Sequence, residues 1–187
     1  MREVEARLRE RYQSYTRQDF LALAVMEAYA RYYKRFEKTY HVLLQVESIA
    51  LKGKSLPNVS PLVAANFAAE VETLVLTAGH DVEKLEGAIM IDVSRAGDWM
   101  IQMNGAEKHL REGDMVMRDE EGICCSIIYG QDNRSRISAE TQKVLYVAYA
   151  PAGVGVLAVE SQLQKIEGFI RLYSSLARLE QRQLLTA

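Results

Sequence analysis

The stretch "TAGHDVEKLEGAIMIDVS", residues 77–94, is where the chain changes its period. Upstream, apolar residues recur at three- and four-residue spacing, the mark of helices packed on one face. From Ala88 onward they fall in short β-rich runs separated by turn residues. Within the stretch, Asp81 is placed to cap a short helical turn, "VEKLE", closed by Gly87. Its carboxylate would accept a free backbone N–H, and Glu83 would favour the positive end of the turn. His80 is then expected in a loop, where it lines a cleft. A general base needs an orienting partner, and a neighbouring aspartate usually points elsewhere. The pair is therefore read first as punctuation and second as chemistry.

Upstream, "RQDFLALAVMEAYARYYKRFEKTYHVLLQVESIALKGK" (17–54) contains no proline and no glycine before Gly53. Thr16 or Asp19 caps one helix start, and Gly53 and Pro57 stop the run. Ser60-Pro61 opens a further helix, "PLVAANFAAEVETLVL", since proline suits the first helical turn. Downstream, "AIMIDVS", "DWMIQMN", "GDMVMRD", "GICCSIIYG" and "KVLYVAYAP" read as strands, with Gly122 of "RDEEGI" in a hairpin turn. "SRAGDW" and "NGAEKHLREGD" read as connections. After Pro151, Gly153 and Gly155 comes "VLAVESQLQKIEGFIRLYSSLARLEQRQLL", a long amphipathic helix broken at most by Gly168. Helices, then a β meander or sandwich-like sheet, then a helix define an α+β class. The expected division is a helical extension over 1–54, a core over 55–152 and a C-terminal helix over 153–187, all in one domain.

A chain of 187 residues buries roughly 70% of its unfolded surface, so no disulfide or structural metal is required. The only cysteines, Cys124 and Cys125, are adjacent; successive strand residues point to opposite faces and are poorly placed to bridge. No CxxC spacing or Cys/His cluster indicates zinc, and no cofactor motif is present. Residues 1–10, "MREVEARLRE", are too charged for a signal peptide. The apolar run from Val144 to Val159 is interrupted by Pro151, Gly153 and Gly155 and falls short of a membrane span. The expected location is cytoplasmic, with no membrane partner.

The net charge of −2 hides an asymmetry: residues 1–54 carry +4, residues 55–129 carry −8, and residues 130–187 carry +2. These are most simply solvated helix faces, and the pattern is not that of a protein coating nucleic acid.

Two places concentrate hydrogen-bonding groups. The first is "IIYGQDNRSRISAET" (127–141), with Gln131, Asp132, Asn133, Arg134 and Arg136 in one loop leaving a strand. Arg134 and Arg136 alternate, so they share a face suited to a phosphate or carboxylate. The second is Asn66, set among small residues on a helix, where it either braces a loop or faces a ligand. Cys124 and Cys125 read as inert core residues, and Met90, Met100, Met103, Met115 and Met117 as gap-fillers. No Walker loop, dinucleotide fingerprint or nucleophile elbow occurs.

Five segments in order, "PLVAANFAAE", "AGHDVEKLEGAIMID", "LREGDMVMRDEEGI", "IIYGQDN" and "ISAETQKVLYVAYAP", resemble the tRNA-binding and editing domain of the phenylalanyl-tRNA synthetase beta subunit. The likeness covers roughly residues 55–152, and its closest matches are Asp81 to Gly87 and Glu140 to Leu145. The helical flanks look like those of free-standing bacterial relatives. The resemblance implies hydrolysis of tyrosine wrongly attached to the phenylalanine tRNA, a second sieve for an analogue that merely adds a hydroxyl. It sets the family's editing histidine at Ala78, two residues before His80, and the editing glutamate at Asp132 or Asn133. It implies no synthetase activity, since no activation motif is present.

The leading expectation is a relative of this domain that binds an aminoacyl-tRNA end or an aminoacyl-like small molecule. The cleft would lie between the Asn66 helix, the His80–Asp81 turn and the loop from Gln131 to Asn133. If the ester is hydrolysed, Asp132 or His80 positions the water, with Arg134 and Arg136 neutralising a phosphate or carboxylate. The alternative is a non-catalytic module for an amino acid or small metabolite. A third reading is a homodimer through the terminal helix, where Val159, Leu163, Ile166, Ile170 and Leu172 are suitably spaced.

Overall fold

Thr16 and Asp19 act together rather than as alternatives: the Thr16 hydroxyl accepts the Asp19 N–H, and the Asp19 carboxylate accepts the Thr16 N–H at 2.7 Å. This capping box opens the second of four N-terminal helices in the computed structural model, which describes residues 1–185. They are α1 (Arg2–Tyr12), α2 (Arg17–Leu21), α3 (Ala24–Lys34) and α4 (His41–Ala50). Their core is rich in tyrosine, with Tyr29 and Tyr40 stacked at 4.2 Å between ring centroids. A buried hydroxyl needs a partner, and those of Tyr29, Tyr33 and Tyr40 find theirs on backbone beyond the four helices. The Tyr29 hydroxyl accepts the Leu76 N–H at 2.9 Å and donates to the Tyr149 carbonyl at 2.6 Å. Tyr33 donates to the Ile127 carbonyl at 2.6 Å, and Tyr40 to that of Leu74 at 3.0 Å.

Helix α5 (Pro61–Thr73) carries its proline in the first turn and ends at Leu74, whose φ is +67°. It lies along α6 (Val156–Tyr173), which buries Val159, Gln162 and Ile166. Gly168 does not interrupt α6. The helix expected to continue through "SSLARLEQRQLL" stops at Tyr173 instead, and residues up to 185 have no regular structure. The leucines beyond that point, such as Leu176 at 87% exposure, stay in solvent, and a helix without a buried stripe is marginal in water. Residues 186 and 187, part of the expected C-terminal helix, lie outside the described residues.

The β region forms three small antiparallel sheets rather than one. β1 (Thr77–Asp81) pairs with a distant strand, β8 (Val144–Ala148). The strands β2 (Met90–Val93), β5 (Met115–Arg118), β6 (Ile123–Ser126) and β7 (Gly130–Gln131) form a sheet in that order. The hairpin of β3 (Trp99–Ile101) and β4 (Glu107–His109) is an excursion between β2 and β5. Gly122 lies in the β5–β6 turn, as its sequence suggested. Two expectations are corrected. "TAGHD" is a strand and not a loop, and the connection "NGAEKHLREGD" contains β4. Both are short, polar strands defined by a partner elsewhere in the chain rather than by their own pattern. Among the described residues, no helix is long and apolar enough to cross a membrane.

Candidate functional site

Strand geometry fixes the direction of His80. Successive residues of β1 alternate between faces, so Ala78 and His80 point the same way, about 7 Å apart along the strand. On the opposite face sits Gly79, against which the side chains of Ile137 and Tyr146 pack so closely that a Cβ would lie 2.8 and 2.9 Å from them. His80 is fully buried. Its Nδ1 is 2.7 Å from the hydroxyl of Ser135, and that hydroxyl donates to the carboxylate of Asp132. The Ser135 N–H also donates to Asp132, at 3.1 Å.

This order of partners assigns the tautomer. The Ser135 proton goes to Asp132, so the Ser135 oxygen accepts from Nδ1–H of His80. The side-chain amide of Gln131 uses its hydrogens on the carbonyls of Gly79, at 2.7 Å, and Ser135, at 3.4 Å. Nε2 of His80 therefore carries a lone pair, and it is buried without a partner. A chain His80–Ser135–Asp132 with an open basic nitrogen at its end is an acceptor waiting for a donor, such as water, a hydroxyl or an ammonium group.

The loop that supplies Ser135 and Asp132 is held by backbone. Asp132 N–H donates to the Cys124 carbonyl at 2.9 Å, and Asn133 N–H to that of Ile101 at 2.9 Å. Asp81 N–H donates to the Ser135 carbonyl at 2.8 Å, and His80 forms a β-bridge with Arg136. The loop is thus pinned to β1, β3 and β6 together.

Burial, reinforced by the Arg134 guanidinium, pushes the His80 imidazole down to about 4, so the ring is neutral at physiological pH. Burial raises the Asp132 carboxyl above its ordinary value, against the pull of the Ser135 hydrogen bonds. The thiols of Cys124 and Cys125 are pushed up by burial to about 12 and are not nucleophiles.

The residues named from the sequence separate into three groups. His80, Gln131 and Asp132 come together. Asp81, Asn66 and Arg134 act as braces. Asp81 caps a 3-10 turn over Val82–Lys84, with its oxygens taken by Glu83 N–H at 3.1 Å and the Thr141 hydroxyl at 2.6 Å. Asn66 donates to the Thr77 carbonyl at 2.9 Å, bracing the start of β1, and no hydrogen bond joins it to the His80 chain. Arg134 does not share a face with Arg136. Its Nη2 lies 2.8 Å from both oxygens of the buried Asp119, and its Nε 3.2 Å from Glu121. Arg136 and Asn133 form the third group at the surface, joined at 2.6 Å, with Lys84 donating to the Arg136 carbonyl at 3.2 Å. Ser135 and Asp119 were not anticipated. The spacing Asp132-x-x-Ser135, a local side-chain-to-backbone turn, is the signal that would have found Ser135.

Two open hollows, of about 740 and 380 Å³, lie elsewhere: one is lined by residues including Arg9, Tyr15 and Leu51, the other by Arg7, Arg11, Glu72 and Lys165. Neither includes a residue of the His80 chain.

A helical layer bonded to small antiparallel sheets, with a histidine–hydroxyl–carboxylate chain between β1 and the loop after β7, defines an α+β domain with a buried polar centre. The chain matches the family model "B3/4 domain" over residues 24–166. It belongs to that family, whose domain is found in the phenylalanyl-tRNA synthetase beta subunit. The match extends the likeness read from residues 55–152 into α3 and α4 on one side and most of α6 on the other. A search of curated proteins gave no match.

Proposed function

We propose that this domain binds the aminoacyl end of a tRNA, or an aminoacyl-like ligand, beside β1 and hydrolyses the ester with His80 as general base. The observation that carries the reading is the unpartnered Nε2 of His80 at the end of the Ser135–Asp132 chain. The family supports it, since a histidine shifted from the Ala78 position to His80 keeps the same strand face. Nε2 would take a proton from water as its oxygen attacks the ester carbonyl. The carbon–oxygen bond to the ribose then breaks, and the proton passes to the departing oxygen, which leaves as the ribose hydroxyl. Asp132, acting through Ser135, would hold the imidazole in its tautomer and stabilise the imidazolium. Arg136 and Lys84, at the surface next to the bridge, suit a terminal phosphate or a carboxylate. Because His80 is fully buried, a ligand reaches Nε2 only if the residues around the ring move.

The same burial favours a second reading, a non-catalytic module for a free amino acid or small metabolite. Deacylation of a panel of mischarged tRNAs separates the two. Release faster than the protein-free rate, lost in His80→Gln, supports hydrolysis. Equal rates with and without protein remove it, and thermal stabilisation by an amino acid without any effect of tRNA then favours the binding module.

A further inference from the structure

The free edge of β2 is apolar, and its backbone polarity can be read from its neighbours. Ser94 N–H donates to the Asp114 carbonyl at 2.7 Å, and Gly113 N–H to that of Ser94 at 2.9 Å. Even-numbered residues of β2 therefore turn their backbone groups toward β5. In an antiparallel ladder the alternate residues turn theirs the other way, so Ile89, Ile91 and Val93 present N–H and C=O groups outward. In keeping with this, the Val93 N–H is taken by the side chain of Asp92, at 2.8 Å, and not by β5. The side chains of these three residues share one face and are 44%, 42% and 53% exposed. A row of open backbone groups flanked by apolar side chains is a template for another strand.

We infer that two copies of the chain pair through this edge, antiparallel, about a two-fold axis at Ile91. A two-fold contact must be self-complementary, and this segment is. With the axis at Ile91, Ile91 faces its own counterpart and Ile89 faces Val93 twice. That gives three apolar cross-strand pairs on one face, each able to exchange two backbone hydrogen bonds once the Val93 N–H leaves the Asp92 carboxylate for the Ile89 carbonyl of the other copy. Moving the axis to Asp92 would oppose two carboxylates, and moving it to Met90 would set Val93 against Gly87. The Ile91 axis also lays Arg95 of each copy opposite Gly87 of the other, beside Glu86, so unlike charges meet at both ends of the ribbon. Both side chains are exposed, and the Arg95 guanidinium, held 3.0 Å from Asp92 of its own strand, would exchange that partner for Glu86 of the other copy. The sequence from Glu86 to Arg95, acidic at one end, apolar in the middle and basic at the other, matches an antiparallel copy of itself better than an arbitrary strand.

The test is sedimentation and cross-linking of the full chain. The wild-type protein is expected at twice the 21.2 kDa chain mass at high micromolar concentration, and Ile91→Lys at the single mass with unchanged helical circular dichroism. An on-axis residue faces itself with Cα atoms about 5.5 Å apart, within disulfide range. Ile91→Cys should therefore oxidise to a covalent dimer and Met90→Cys should not. Glu86→Arg and Arg95→Glu should each weaken association at least tenfold, and the double variant should restore it. A monomeric wild type, a dimer indifferent to Ile91→Lys, or equal cross-linking at both cysteine positions would overturn the proposal.

Discussion

The imidazole Nδ1 of His80 and the hydroxyl of Ser135, fifty-five positions apart in the sequence, lie 2.7 Å apart between a strand and the loop that covers it. Ser135 is fully buried against Asp132, and the far nitrogen of His80 is left for a ligand or water.

Removing the members of this chain should lower deacylation in order. His80→Gln is expected to lose about a hundredfold or more, the usual contribution of a positioned general base. Ser135→Ala keeps the base but loses its link to Asp132, so about a tenfold loss is expected together with a displaced pH–rate profile. Initial rates on one mischarged tRNA, followed down through pH 4 where the His80 limb falls, make the comparison. A Ser135→Ala profile that merely scales down, without moving, would mean that the hydroxyl packs rather than orients.

The neutral, buried imidazole also predicts an acid limb in stability. Its folded value of about 4 lies below its ordinary 6.5, so the unfolded chain binds the extra proton first. Stability linked to His80 is full above pH 6.5 and is lost as the pH falls toward 4, by on the order of 3 kcal/mol in total. Urea unfolding at pH 7.5, 5.5 and 4.5 should show a steeper decline for wild type than for His80→Gln. Parallel curves would contradict this.

Glu70 has the opposite sign. It is buried on α5, with its carboxylate accepting the Thr77 N–H at 2.7 Å, and burial raises it to about 8 from an ordinary 4.5. The folded protein then holds a proton that the unfolded chain has released. Stability linked to Glu70 is full at pH 4.5 and declines as the pH rises through 8. Glu70→Gln keeps an acceptor for Thr77 and does not titrate, so it should be neutral at pH 4.5 and stabilising by on the order of a few kcal/mol at pH 8.5. A variant destabilised at every pH would show that the carboxylate serves the fold in its ionised form.

Arg134 is expected to matter for folding before it matters for binding. Arg134→Met strands the buried Asp119 carboxylate and should cost about 3 kcal/mol. Arg134→Lys should recover only part, because an ammonium cannot reproduce contacts to Asp119, Glu121 and the Lys84 carbonyl at once. Arg136→Ala should leave the unfolding midpoint unchanged and weaken tRNA binding. If the two arginines exchange these phenotypes, the assignment of brace and surface cation is reversed.

The sequence by itself determined the class of the fold and most of its elements. The change of period at Ala88, the proline opening α5, the Asp81 cap and the Gly122 hairpin are all local signals, readable from residues a few positions apart. It also placed His80, Gln131 and Asp132 among the residues worth watching. The tertiary structure alone decided what they do. β1 exists because β8, more than sixty residues later, supplies its hydrogen bonds, and only a strand makes Ala78 and His80 share a face. Arg134 and Arg136 looked equivalent by spacing, but a buried carboxylate fifteen residues upstream claims the first and leaves the second at the surface. Ser135, in a run of polar residues, gained its importance from where the backbone of Asp81 and Arg136 holds it. Such pairings depend on long-range contacts, which local propensity does not encode.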